Sequence, residues 1–131
     1  MSATPTARRA PAEILVIDDD VVIRDLLELH LTDEGYQVRT AEDAVEGGKM
    51  LIAAPPDLLL LDIHMPHMPG DEFLKLLRGD ENFKKLKVIV LTAEQSIKFM
   101  LKITDIGVSD FLVKPIDKDV LLATVKKVLA A

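Results

Sequence analysis

The sequence predicts an α/β fold: a doubly wound, five-stranded parallel sheet with helices on both faces. Four short apolar runs, Ile14 to Ile17, Leu58 to Leu61, Val88 to Leu91 and Phe111 to Val113, lack the alternation of half-exposed strands. Unalternating runs of about four aliphatic residues belong to strands covered on both sides, as parallel strands are. Between the runs the apolar spacing becomes helical, so strand and helix alternate and each crossover returns a parallel strand to one sheet. Every run also stops on a chemically competent residue: Asp18 and Asp19, then Asp62, Thr92 and Lys114.

From Val22 the period is helical, with Val22, Ile23, Leu26, Leu27, His30 and Leu31 on one side and Arg24, Asp25, Glu28 and Thr32 on the other. Asp20 is placed to cap this helix, and Gly35 to end it. Tyr36 to Ala41 alternates like a strand. Asp43 to Ala54 is helical in outline and halts at Pro55 and Pro56, which cannot continue a helix. Gly47 and Gly48 each cost this segment about 1 kcal/mol relative to alanine, which makes it the most labile element expected. Leu58 to Asp62 is the next strand, Ile63 to Gly70 a proline-bearing loop, and Asp71 to Arg78 a short helix closed by Gly79. The alternation repeats through a strand at Val88 to Thr92, a helix at Ser96 to Ile106 followed by Gly107, a strand at Asp110 to Lys114, and a helix at Lys118 to Leu129 capped by Asp117.

A chain of 131 residues accommodates one domain and no second. Met1 to Ala12, with Arg8, Arg9 and two prolines, reads as a flexible extension, and residues 13–131 as the folded unit. The arginine pair precedes no apolar segment of signal or membrane length. The net charge of −6 argues against direct nucleic-acid binding or adhesion to anionic membranes. With no cysteine, disulfides and thiolate metal sites are excluded, which suits a reducing, cytoplasmic setting.

Ligands of open parallel sheets bind beyond the carboxyl ends of the strands, where Asp18, Asp19, Asp62, Thr92 and Lys114 converge. Neighbours in a strand face opposite ways, so Asp18 and Asp19 share a site only if the backbone turns there. Acids gathered so closely repel one another and call for a cation. Hard, oxygen-only ligands suit Mg²⁺, an octahedral ion that keeps several waters and takes one or two carboxylates plus a phosphate. A carboxylate beside such an ion can act as a nucleophile toward phosphorus, with an ammonium and a hydroxyl neutralising the phosphoryl oxygens. Pro115 biases Lys114 toward an extended backbone and permits a cis bond after it.

The motifs "ILVIDDD…R", "LLLLDIHMPHMPG", "VIVLTA" and "DFLVKP", in this order and at these separations, strongly resemble the receiver domain of two-component response regulators, of the single-domain, chemotaxis type. The resemblance covers about Ile14 to Leu129 and implies a flavodoxin-like strand order, 2-1-3-4-5. It implies that Asp62 accepts a phosphoryl group from a sensor histidine kinase or phosphotransfer protein, with Asp18, Asp19 and the backbone carbonyl of His64 joining Asp62 around Mg²⁺. It further implies that Thr92 and Lys114 are the switch hydroxyl and phosphate-pairing lysine, and that Phe111 changes rotamer on activation. Such a chain catalyses its own phosphorylation without turning over an external substrate, and signals to a downstream effector. Pro69, where many members carry an acid, and the glycine pair in the second helix depart from the family pattern.

Several rival readings remain. Asp18 and Asp20 also spell the Asp-x-Asp of haloacid dehalogenase-like phosphatases, which would make Asp18 the nucleophile, but this leaves Asp62 idle. A receiver-like scaffold that binds partners without phosphorylation is a third reading. His64, Met65, His67 and Met68 resemble a soft-metal cluster, but Pro66 and Pro69 leave that loop little freedom to wrap an ion. In the fourth helix, Ile97, Phe99, Met100, Leu101, Ile103 and Ile106 spread over roughly 220°, wider than one sheet face covers. Ile97, Phe99, Met100, Leu101 and Ile103 are therefore candidates for a partner or dimer face that responds to phosphorylation.

Overall fold

In the computed structural model, which describes residues 10–131, five strands and five helices alternate. They are β1 (Glu13–Ile17), α1 (Val21–Asp33), β2 (Gln37–Ala41), α2 (Ala44–Ala53), β3 (Leu58–Asp62), α3 (Gly70–Arg78), β4 (Lys87–Thr92), α4 (Ile97–Ile106), β5 (Asp110–Val113) and α5 (Lys118–Ala130). The strands form one sheet in the order β2-β1-β3-β4-β5, and every pairing is parallel. The expected architecture and strand order are both observed. Most of the expected extension, residues 1–9, lies outside the described residues.

Residue parity divides the core. Leu15, Ile17, Leu59, Leu61, Val88 and Val90 point to the side covered by α2, α3 and α4, where they meet Leu51, Phe73, Leu74, Leu77 and Ile103. Ile14, Val16, Leu58, Leu60, Ile89 and Leu91 point the other way and meet Leu27 and Leu31 of α1 and Leu121, Val125 and Val128 of α5. Because consecutive strand residues face opposite sides, an unbroken apolar run is what a sheet buried on both sides requires.

Capping follows the sequence. Asp20 accepts from the backbone N–H groups of Val22 and Ile23, Asp43 from Glu46, Ser96 from Phe99 and Asp117 from Val120. Gly35 and Gly107 have φ of 99° and 118°, which only glycine adopts without strain. Two expectations need adjusting. The apolar side of α1 is only partly covered: Leu27 and Leu31 are buried, whereas Val22 and Leu26 are exposed. Gly47, expected only to weaken α2, is a contact point, since a Cβ there would stand 2.3 Å from Ile17 Cδ1.

The wide apolar arc of α4 splits in two. Ile97 and Leu101 face outward, at 77% and 64% exposure, while Ile103 is fully buried and Phe99 and Ile106 pack against the core. The placement of Ile103 on the partner face is therefore corrected. At 100° per residue it stands about 240° from Ile97, on the side turned to the sheet.

Candidate functional site

Each site residue is held where a strand ends. The N–H of Asp18 donates to Ala41 O at 3.2 Å, that of Ile63 to Leu91 O at 3.1 Å, and that of Lys114 to Thr92 O at 2.8 Å. These bonds extend the parallel ladder one step beyond β1, β3 and β5. The required turn after β1 is made by Asp18 itself, whose Oδ1 accepts the N–H of Asp20 at 2.9 Å. Asp18 is thereby directed inward and fully buried, and Asp19 lies at the exposed rim. From α1, Arg24 Nη1 donates to Asp18 O at 2.6 Å.

Carboxylate oxygens of Asp18, Asp19 and Asp62 lie within 4.8 Å of one another. Lys114 Nζ stands 2.9 Å from Asp18 Oδ2 and 3.3 Å from Asp62 Oδ1. Asp18 Oδ2 is buried, and the partner it meets is the Lys114 ammonium. An oxygen-only set of three acids, of which Lys114 meets two, fits a hard divalent cation. Asp20 is occupied elsewhere, as the cap of α1, which leaves the Asp-x-Asp reading without its second acid.

Burial drives the electrostatics. The Asp62 carboxyl is pushed up to about 7, first by desolvation and then by the charge of Asp18, against the opposing pull of Lys114 and the His64 N–H. Burial alone would lower the Lys114 ammonium, but its close contact with Asp18 and the charges of Asp18 and Asp62 outweigh that and raise it. The ammonium therefore stays charged between two acids.

Thr92 is buried at the end of β4, and its Oγ1 accepts the N–H of Glu94 at 2.9 Å. Phe111, in β5, is partly buried against the cluster that includes Val90 and Ile103. The Lys114–Pro115 peptide is cis. The His/Met loop does not assemble as a metal site: Met65 is buried in the core, Met68 packs against it, and the His64 ring lies on Phe99.

Three contacts are not legible in the sequence. Arg24 sits on the polar side of α1, yet it clamps Asp18. Gly70 approaches so closely that a Cβ would lie 2.6 Å from Asp62 O and from Ile63 Cα; the alanine-sized gap is missing because α3 begins directly against the strand end. His64 reaches α4 by stacking on Phe99, its ring centroid 5.9 Å away and its plane inclined by 21°. These contacts are set by how the elements approach one another, and periodicity does not report them.

The response regulator receiver domain family matches residues 14–126. Among relatives, the DNA-binding dual master transcriptional regulator RpaA of Synechocystis is 37% identical over 116 residues, covering 88% of this chain and 48% of RpaA. The response regulator MprA of Mycobacterium tuberculosis is 39% identical over 116 residues, covering 88% of this chain and 50% of MprA. The chain thus spans about half the length of these two regulators. A solved structure of the chemotaxis protein CheY4 of Vibrio cholerae superimposes with a TM-score of 0.86 at 34% identity, covering 91% of this chain and 99% of CheY4.

Proposed function

We propose, from the premise that this chain belongs to the response regulator receiver domain family, that it is a switch whose phosphoacceptor is Asp62. One observation carries the assignment: a nearly buried carboxylate, pushed up to about 7, faces a charged lysine and two further acids at the carboxyl edge of a doubly wound sheet. The His64 N–H and Lys114 Nζ both contact Oδ1 of Asp62, which leaves Oδ2 for bond formation. That oxygen bonds to phosphorus as the phosphorus–nitrogen bond of the donor's phosphohistidine breaks, and the imidazole leaves with the electron pair.

Asp18, Asp19 and Asp62, with the backbone carbonyl of His64, would hold Mg²⁺. When bound, the ion supplies positive charge that offsets the acids and the phosphoryl oxygens. Lys114 neutralises one phosphoryl oxygen as a fixed ammonium, and Thr92 Oγ donates to another. Arg24 and the Asp18–Asp20 turn keep Asp18 aimed inward throughout. A sensor kinase or phosphotransfer protein is the donor, and the setting is the cytoplasm. No helix among the described residues is long and apolar enough to cross a membrane.

The readout lies beside the acceptor. Ile97 and Leu101, with Met100 and Phe99 at the margin, form the surface a downstream effector reads, and Phe111 adjusts behind it. Incubation with phosphoramidate and Mg²⁺ tests the assignment by intact mass. Wild type should gain one phosphoryl group and Asp62→Asn none; equal gain by both would assign the chemistry to another residue.

A further inference from the structure

The loop after β3 and the start of α4 are joined by a contact that no strand or helix ladder accounts for. The N–H of His64 donates to Asp62 Oδ1 at 3.1 Å, and the ring of the same residue stacks on Phe99. Centroids 5.9 Å apart lie within the range of attractive offset stacking. Phe99 belongs to the first turn of α4, where its N–H donates to Ser96 Oγ at 3.2 Å. Ser96 Oγ in turn donates to Glu94 Oε2 at 3.1 Å. Glu94 Oε1 lies 3.8 Å from His64 Nε2, and the Glu94 N–H donates to Thr92 Oγ1 at 2.9 Å.

These contacts make one chain from Asp62 through His64, Phe99, Ser96 and Glu94 to Thr92. Its two ends are the acceptor and the hydroxyl that meet an incoming phosphoryl group. The rest of α4 is anchored separately: Lys102 pairs with Asp71 at 3.1 Å, Ile103 is buried, and Arg78 Nε donates to Gly107 O at 3.0 Å. The first turn is held more lightly: Ile97 is exposed, and Phe99, only partly buried against the core, takes the ring of His64 on its face and the cap of Ser96 on its N–H.

We propose that His64 is a positioning residue: its ring, stacked on Phe99, transmits the state of Asp62 to the first turn of α4. The proposal rests on Asp62 being the acceptor. A phosphoryl group there competes with Asp62 Oδ1 for the His64 N–H and draws the Thr92 hydroxyl toward itself as a donor, which pulls on the Glu94 N–H that Thr92 Oγ1 accepts, so both ends of the chain of contacts are disturbed together. A helix fixed at its far end then responds at its start, and the face carrying Ile97 and Leu101 moves with it. The stack, and not the charge of the imidazole, carries the effect, so a phenyl ring should substitute for it.

Amide hydrogen exchange over residues 97–100 tests this in the full chain, with and without acetyl phosphate and Mg²⁺, at equal phosphoryl occupancy read by intact mass. Wild type should show a several-fold change in exchange on phosphorylation. His64→Ala and Phe99→Ala should each lose most of that change, the double variant should lose no more than either, and His64→Phe should retain it. A phosphorylated His64→Ala that responds as wild type does, or a His64→Phe that fails as the alanine variant does, overturns the proposal. An unresponsive but phosphorylated wild type also overturns it. Wild type that gains no phosphoryl mass removes the assignment of Asp62 instead, and with it the premise of this coupling.

Discussion

At the amino ends of the strands, polar groups meet ordinary partners: Asp57 Oδ2 accepts the N–H of Glu13 at 2.7 Å, and Lys87 Nζ donates to Ala131 O at 2.7 Å. A cavity of about 610 Å³ opens there, among Pro55, Pro56, Phe83, Leu86 and Lys87. At the carboxyl ends the polar groups are buried instead, for Asp18, Asp62 and Thr92 are the buried polar side chains among the described residues. Space alone does not mark the reactive end of this sheet. Buried carboxylates that face one another do, because the Lys114 ammonium offsets only part of their cost to folding and a cation would offset more.

The contrast is open to attack from both ends. Lys114→Ala should have the largest effect: about 100-fold or more slower phosphoryl uptake from acetyl phosphate, and a loss of about 3 kcal/mol in metal-free urea unfolding as two acids are left unpaired. Lys87→Ala, its counterpart at the other end, should cost about 1 kcal/mol and leave the rate of uptake unchanged. Equal effects of the two on rate would erase the distinction drawn between the ends.

Gly70→Ala places a methyl group against Asp62 O and Ile63 Cα, backbone atoms that cannot step aside, and should cost about 2 kcal/mol in the same unfolding measurement. A neutral result would mean that α3 can retreat from the strand end.

Asp62 also gives the carboxyl edge a pH signature. Its ordinary value of 3.8 is raised to about 7 in the fold, so between these limits the folded chain holds a proton that the unfolded chain has released. Metal-free stability should therefore fall as pH rises through this window, with the full penalty present above it. Asp62→Asn should flatten that slope. At pH 8 it should exceed wild type by roughly 2 kcal/mol, allowing for solvent screening at the mouth of the site. Mg²⁺ should restore wild type selectively by binding the folded form. A slope unchanged by the substitution would place the titrating group elsewhere.

The smallest expected effect separates two adjacent glycines. Gly48→Ala should stabilise α2 by about 0.5 to 1 kcal/mol, since its nearest atom would be Phe73 Cε1 at 3.8 Å. Gly47→Ala should bring no such gain, because Ile17 already fills that space. Thermal unfolding of the pair decides the matter.

This pair also shows how far the sequence could be read. Helical propensity treats Gly47 and Gly48 alike, and only the packing of α2 on β1 tells them apart. Strand ends, the Asp20 and Asp117 caps and the approach of Asp18, Asp19, Asp62 and Lys114 were legible because they depend on local period and on the shared edge of a parallel sheet. The inward turn of Ile103 was not, since its apolar character is shared by the outward Ile97 and Leu101. The contacts of the Arg24 and His64 side chains were not legible for a related reason: their partners, Asp18 O and Phe99, are set by how the elements approach one another, and a polar residue on a helix or loop carries no mark of it.

Borohydride trapping after acetyl phosphate and Mg²⁺, followed by peptide mapping, tests most directly whether the buried acid of β3 is the one that reacts. Reduction should convert Asp62 and leave Asp18 and Asp19 intact. Modification of Asp18, or an unmodified chain, would contradict the assignment.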